Sequence, residues 1–228
     1  VGHELEIVCL SFDPQGQLLA TGSMDSRAKL WDVETGKEYA VEGISEQFEI
    51  LSAHKSYIGH TAEIVSLNFN AEGDKILTGS FDTTAKVILI ETGQRDIKSK
   101  QIWDTRTGSC IHTLEEHTAE ISSTQFEFTG DFCATGSIDR YTILRFKAKH
   151  ANFLFLFFVN SRTCKIWDIG SGKCIETFRG HVDEVLDITF NSTGTKLVTA
   201  SADGTARVYN VMNGACTAIL TGTNYLLH

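Results

Sequence analysis

Residues 180–210 read GHVDEVLDITFNSTGTKLVTASADGTARVYN. A Gly-His pair opens the stretch. An apolar run ending in Phe190 follows, then a polar turn with glycine, a second apolar run, a Ser-Ala-Asp turn and a third run. Nearly the same text begins at Gly2, as GHELEIVCLSFDPQGQLLATGSMDSRAKLWD. From His3 to Trp31 is 28 positions, and from His181 to Tyr209 is also 28. Self-similarity over that length marks a repeat architecture and takes precedence over any local motif.

Two further copies lie between these. Gly59-His60 is followed by IVSLNF at Ile64–Phe69 and KILTG at residues 75–79. Glu116-His117 is followed by ISSTQF at Ile121–Phe126 and FCATG at residues 132–136. Short β-branched and aromatic runs, bounded by Gly, Asp, Asn and Ser, predict strands. CIHTL at residues 110–114, CIETF at 174–178 and CTAIL at 216–220 supply a fourth strand per unit. The undisturbed spacing is 28 residues from His to Trp and 14 from Trp to the next His, a period of 42. The units span approximately residues 2–58, 59–115, 116–179 and 180–222.

Three inserts disturb the period, near residues 38–58, 88–102 and 140–162. The first enlarges the loop around the outer strand, where an insertion is cheap. The second leaves two candidates for one third strand. AKVILIETGQ at residues 85–94 aligns with AKLWDVETGK at 28–37 without a gap, which puts Ile88 in the Trp slot. IWDTRTGSC at residues 102–110 aligns equally well and keeps Trp103 there. The third insert contains ANFLFLFFV at residues 151–159, too short to span a bilayer and an aggregation hazard if exposed. It reads as a gene-model or splice artefact, with a membrane-dipping or partner-binding loop as the alternative.

The chain has 228 residues, 42% of them apolar, enough for one domain with a real core. A net charge of −9 argues against nucleic acid or an anionic membrane surface as partner and fits a protein that meets basic surfaces. The six cysteines form no CxxC, and Cys110, Cys174 and Cys216 recur at one position of the repeat, so packing explains them and a reducing compartment is expected. The first ten residues contain no signal peptide.

G-H, then S-x-D, then W-D, at a period near 42 with four strands per unit, resembles the WD40 repeat of β-propellers. The resemblance implies an all-β fold: four four-stranded blades within a larger propeller of about seven or eight blades. An open arc of four blades would leave two apolar blade faces exposed. The segments GHELEIVCLSF, LATGSMDSRAKLWD, TGSFD, EHTAEISS and TASADGTARVYN are similar to the dynein assembly factors with WD repeats, the outer-row dynein assembly adaptors. That family implies a non-enzymatic adaptor of the cytoplasm and the cilium or flagellum. It would link preassembled outer-arm dynein to an intraflagellar transport subunit, with protein partners and no cofactor, nucleic acid or membrane span. The alternative is a general WD40 interaction platform, such as a substrate receptor of a ubiquitin ligase.

His3, Ser23 and Asp25 look like parts of a nucleophilic triad. The set recurs as His60, Ser80, Asp82; His117, Ser137, Asp139; and His181, Ser201, Asp203. An enzyme needs one triad, not four at a fixed period. The WD40 resemblance implies a structural Asp-His-Ser-Trp network, completed by Trp31, by Trp103 and Trp167 if their inserts loop out, and by Tyr209 in the last unit. Gly170-Ser171-Gly172-Lys173 fails the phosphate-loop spacing and aligns with a plain turn at residues 34–37. No metal-ligand spacing occurs among the His and Cys residues. One surface feature recurs: Glu6, Glu63, Glu120 and Glu184 each follow the unit's His by three residues. They form a candidate acidic track for a basic partner segment, against the plainer reading of a solvated polar position.

Overall fold

The computed structural model describes residues 2–44, 50–54, 56–90, 110–139, 142–147, 154–159 and 162–222. Each unit folds into one antiparallel four-stranded sheet. The first holds β1 (Ile7–Phe12), β2 (Leu18–Ser23) and β3 (Arg27–Asp32). A separate hairpin, β4 (Ala40–Ile44) and β5 (Ile50–His54), then intervenes before the outer strand β6 (Ser56–Ile58) pairs with β3. The second sheet runs β7 (Ile64–Phe69), β8 (Lys75–Ser80), β9 (Ala85–Leu89) and β10 (Cys110–Leu114). In the third, β11 (Ile121–Phe126) and β12 (Phe132–Ser137) are followed by a second inserted hairpin, β13 (Thr142–Lys147) and β14 (Leu154–Val159). The sheet resumes with β15 (Arg162–Asp168) and β16 (Cys174–His181). The fourth is β17 (Val185–Phe190), β18 (Lys196–Ser201), β19 (Thr205–Asn210) and β20 (Cys216–Thr221). No helix occurs among the described residues, so none there is long and apolar enough to cross a membrane.

The local sequence explains the sheets. Between first and second strands the chain reverses through a turn with glycine at φ of 71°, 78°, 77° and 66° for Gly16, Gly73, Gly130 and Gly194. A side chain with a Cβ is strained in that region, so glycine recurs there. The residue three positions earlier caps the turn: the Asp13 carboxylate accepts from Leu18 N–H at 2.8 Å, and the amide oxygens of Asn70 and Asn191 do the same for Lys75 and Lys196 at 2.9 Å. Each first strand carries an irregularity at one place, between Ile7 and Cys9, Ile64 and Ser66, Ile121 and Ser123, and Val185 and Asp187. An extra residue there increases the local twist.

The core lies between the sheets. The first strands sit side by side, β1 against β7, β7 against β11 and β11 against β17. Three apolar clusters fill the three joints. Ala20, Ala28 and Leu30 of the first blade meet Ile64, Leu67, Ile76 and Ile88 of the second. Leu77, Val87 and Leu114 meet Phe126, Cys133 and Trp167; Ala134, Ile166 and Phe178 meet Val185, Ile188 and Tyr209. Each joint closes on a glycine of the second strand. A Cβ added to Gly22 would lie 2.7 Å from Cγ2 of Ile64, one on Gly79 2.6 Å from Cγ2 of Ile121, and one on Gly136 3.0 Å from Cγ1 of Val185. These contacts are with β-branched side chains, whose χ1 is stiff.

Gly79→Ala therefore lowers stability by about 1–3 kcal/mol through overpacking. Gly2→Ala, with nothing within 4 Å of its added Cβ, leaves stability unchanged. Urea unfolding of the two variants beside wild type checks the contrast.

Candidate functional site

The loop that opens each unit precedes its first strand, and the turn with the Asp follows its second. Antiparallel pairing of those strands sets loop and turn side by side. His3 Nδ1 then lies 2.9 Å from Asp25 Oδ2, His60 Nδ1 2.8 Å from Asp82, His117 Nδ1 3.1 Å from Asp139 and His181 Nδ1 2.8 Å from Asp203. The carboxylates also accept backbone N–H groups: Glu4 and Arg27 donate to Asp25, Thr61 and Thr84 to Asp82, Thr163 to Asp139, and Val182 and Thr205 to Asp203.

The other ring nitrogen reaches a threonine. His3 Nε2 is 2.8 Å from Thr21 Oγ1 and His60 Nε2 2.8 Å from Thr78. His117 and His181 stand 2.7 Å from Thr135 and Thr199. Trp31 Nε1–H donates to Thr21 Oγ1 at 2.7 Å, and Trp167 Nε1–H to Thr135 Oγ1 at 2.8 Å. Donor chemistry sets the direction of these chains. An indole only donates and a carboxylate only accepts, so the threonine accepts from Trp and donates to Nε2, and the neutral ring keeps its proton on Nδ1.

The serines sit elsewhere than the sequence suggests. Ser23, Ser80, Ser137 and Ser201 donate to the carbonyls of Leu5, Ala62, Ala119 and Asp183 at 3.2, 3.0, 3.1 and 2.9 Å. Each also accepts the N–H of the unit's Asp at 3.1 Å. A serine at the end of its strand is level with the backbone of the opening loop. The threonine two residues earlier, on the same face, is the one that meets the imidazole. Sequence reasoning missed Thr21, Thr78, Thr135 and Thr199, although each follows its His by 18 residues. The serine proton is committed to a carbonyl and not to the His, so no Ser-His nucleophile pair forms.

Register identifies the fourth member. Trp31 pairs with Leu19, Ile88 with Ile76, Trp167 with Cys133 and Tyr209 with Leu197, all at one position of the repeat. Ile88 fills the third strand of the second blade, and Trp103 lies outside the described residues. Trp167 keeps its place although 23 residues separate Asp139 from Thr163, because the third insert leaves the sheet as β13 and β14. The Tyr209 hydroxyl donates to the carbonyl of Arg179 at 3.1 Å, and burial pushes its pKa up to about 12.

The electrostatics follow the geometry. Burial by itself would raise Asp25, Asp82, Asp139 and Asp203, but the hydrogen bonds they accept outweigh it and hold all four below the usual 3.8. Burial pulls the His60 pKa below its usual 6.5, and the neighbouring Asp82 offsets this only in part. All six cysteines are free, and burial raises the thiols of Cys133 and Cys164 inside the joints.

The rim glutamates hold their loops through the backbone. The carbonyls of Glu6, Glu63, Glu120 and Glu184 accept from the N–H groups of Met24, Phe81, Ile138 and Ala202 at 3.0, 3.0, 3.1 and 2.9 Å. Glu6 is exposed and the other three are half-buried. Between the first and second blades Glu63 joins Glu4, Leu5, Met24 and Thr61 around a groove of about 560 Å³. Gly170–Lys173 text folds as a turn in which Asp168 Oδ1 accepts from Ser171 N–H at 2.6 Å, like Asp32 with Thr35 at 2.7 Å. Among the described residues no group of three or more His, Cys, Asp and Glu is arranged to hold a metal ion.

Thr135→Val leaves a buried indole N–H and an imidazole nitrogen without partners, whereas Thr78→Val strands only the imidazole. Thr135→Val is expected to cost about 1–3 kcal/mol, and visibly more than Thr78→Val, in urea unfolding. The pH dependence has a definite sign. The depressed carboxyls add stability above about 3.8 that is lost as pH falls through their folded values. The unfolded chain also takes up a proton at His60 below about 6.5, before the folded chain does. The urea midpoint should thus hold between neutral and mildly alkaline pH, decline below about 6.5 and fall more steeply below about 4.

The WD40 family, described as "WD domain, G-beta repeat", matches residues 1–32, 51–88, 108–144 and 172–210. Similar curated proteins include Protein tipD of Dictyostelium discoideum, 26% identical across 96% of this chain and 27% of that protein. The ribosome biogenesis protein WDR12 homolog of Drosophila pseudoobscura pseudoobscura is 29% identical across 91% of this chain and 52% of its own length. The mouse F-box-like/WD repeat-containing protein TBL1X is 26% identical across 85% of this chain and 37% of its own. The chain thus spans between about a quarter and a half of the length of these relatives. The family match covers well over half of the sequence and takes in strands of all four sheets together with the repeated His-Asp pairs: this chain belongs to the WD40 repeat family.

Proposed function

We propose that this chain is a non-enzymatic docking platform, and that it serves the assembly of axonemal outer dynein arms and their intraflagellar transport into cilia. One observation carries the platform reading: the conspicuous His, Asp and Thr groups of all four units bond one another inside the blades. Among the described residues the surface includes a rim with glutamates at a repeated position and a groove beside Glu63. WD40 repeats are interaction scaffolds, and loops on a rigid sheet framework are where such contacts form. The dynein reading rests on the similarity of the unit-opening text to the dynein assembly factors with WD repeats. The negative net charge of −9 supports a basic partner segment, for which Glu6, Glu63, Glu120 and Glu184 would set selectivity and on-rate more than affinity. The general platform reading, such as a ubiquitin-ligase substrate receptor, uses the same rim with a different occupant.

Pull-down from an extract of ciliated cells tests the proposal. The wild-type chain should retain outer-arm dynein and transport subunits. The Glu120→Lys/Glu184→Lys variant should retain at least tenfold less while melting at the wild-type temperature. Unchanged recovery sinks the acidic track. Failure of the wild type to retain either partner sinks the dynein assignment.

A further inference from the structure

The third insert reverses the charge of the chain around it. The chain carries 20 Lys and Arg against 29 Asp and Glu, yet between Asp139 and Asp168 it carries six against none. Five of its 14 phenylalanines fall in the same interval, which is therefore basic and strongly apolar at once. Within it β13 and β14, six residues each, pair only with one another among the described strands. Strand alternation sorts their residues onto two faces. Leu144 and Phe157, Phe146 and Phe155, and Thr142 and Val159 are paired on one. Ile143 and Phe158, Arg145 and Leu156, and Lys147 and Leu154 are paired on the other. The first face is apolar except for Thr142 at its base, and both cations of β13 share the second.

We propose that the β13–β14 hairpin is an interfacial anchor for anionic lipid bilayers, with the Phe155 and Phe157 face toward the acyl chains and Arg145 and Lys147 at the level of the lipid phosphates. A face of leucine, phenylalanine and valine offers a partner no directional hydrogen bond. A protein partner is recognised through shape and placed polar groups. A bilayer requires apolar area and, where its lipids are anionic, positive charge, and the hairpin supplies both. The strands also set the depth. At about 3.3 Å per residue each spans about 20 Å, short of a hydrocarbon core of roughly 30 Å. The outer edges of the hairpin have no strand beside them among the described residues, so their N–H and C=O groups need water and keep it at headgroup depth. The net charge of −9 belongs to the rest of the chain. Physiological salt screens it beyond about 8 Å, so the hairpin meets a membrane with its own charge. Asp139 accepts from Thr163 across the insert, which displays the anchor without disturbing the sheet. Neither β13 nor β14 contains a rim glutamate, so lipid binding and the dynein assignment stand or fail separately.

Flotation of the whole chain with vesicles is the test, since protein aggregates do not float. Wild type should rise with phosphatidylcholine vesicles containing about 30% phosphatidylserine and be recovered at least tenfold less with phosphatidylcholine alone. Arg145→Glu/Lys147→Glu should lower recovery on the anionic vesicles at least tenfold, and Phe155→Ser/Phe157→Ser should do the same. Leu156→Ser, on the opposite face, should lower it less than Phe157→Ser. Raising salt from about 0.1 to 0.5 M should weaken the wild-type interaction. The hairpin leaves the sheet of its blade regular, so each variant should melt at the wild-type temperature. No flotation of wild type on the anionic vesicles, equal flotation on phosphatidylcholine, or full flotation of the charge-reversed chain overturns the proposal. So does binding of the hairpin to a protein or a nucleic acid in place of the vesicles.

Discussion

Ile64 rests on Gly22, Ile121 on Gly79 and Val185 on Gly136, and the blades keep their places because of these contacts. A four-stranded sheet buries little by itself. Its apolar residues lose their water only when a second sheet is laid against them, and close packing requires the two backbones to approach tightly. Glycine permits that approach at one point, and the apolar residues around it fill the remaining space. Ala20 and Leu30 on one side and Leu67 and Ile76 on the other are buried as a consequence. The repeat unit of the sequence and the unit of stability are therefore offset: the sequence repeats by blade, and the apolar core repeats by joint.

The polar networks serve the same geometry from inside each blade. The His-Asp pair ties the opening loop to the turn beyond the second strand, and the Thr-Trp contact ties the second strand to the third. Together they fix how far the first strand reaches, and hence where its β-branched residue meets the glycine of the preceding blade. The second blade lacks the indole, since Ile88 stands there, and it substitutes apolar packing in the joint for one hydrogen bond. The fourth replaces the indole with a phenol that bonds the carbonyl of Arg179 at the end of the preceding blade's outer strand. Two of four units thus depart from the common network while keeping the same register.

Strand positions, the four-unit count and the His-Asp pairs were legible in the sequence because they recur at fixed spacing. Thr21 and its three counterparts were equally periodic, yet the serine two residues on drew the attention: both lie on the inward face of one strand, and only depth along the strand separates a partner of the imidazole from a partner of the backbone. Ile88 and Trp103 were a tie in alignment. Pairing of Ile88 with Ile76 decides it, and no count of residues could have done so. The irregularity in each first strand leaves no mark on composition. The third insert looked foreign to its unit in sequence. Its segments pair with each other as β13 and β14 and leave the sheet around them regular.

Asp139 gives that last observation a wider meaning. Its carboxylate accepts the backbone N–H of Thr163 at 2.9 Å and the Thr163 hydroxyl at 2.9 and 3.1 Å, across the whole excursion. In the second and fourth blades the same carboxylate position accepts from Thr84 and Thr205, two residues away in sequence. A clasp that binds alike whether one residue or 23 lie between its halves makes the turn indifferent to its own length. Such a site is a grafting point: a foreign loop placed there would inherit fixed stems, and the blade would display it without being asked to refold.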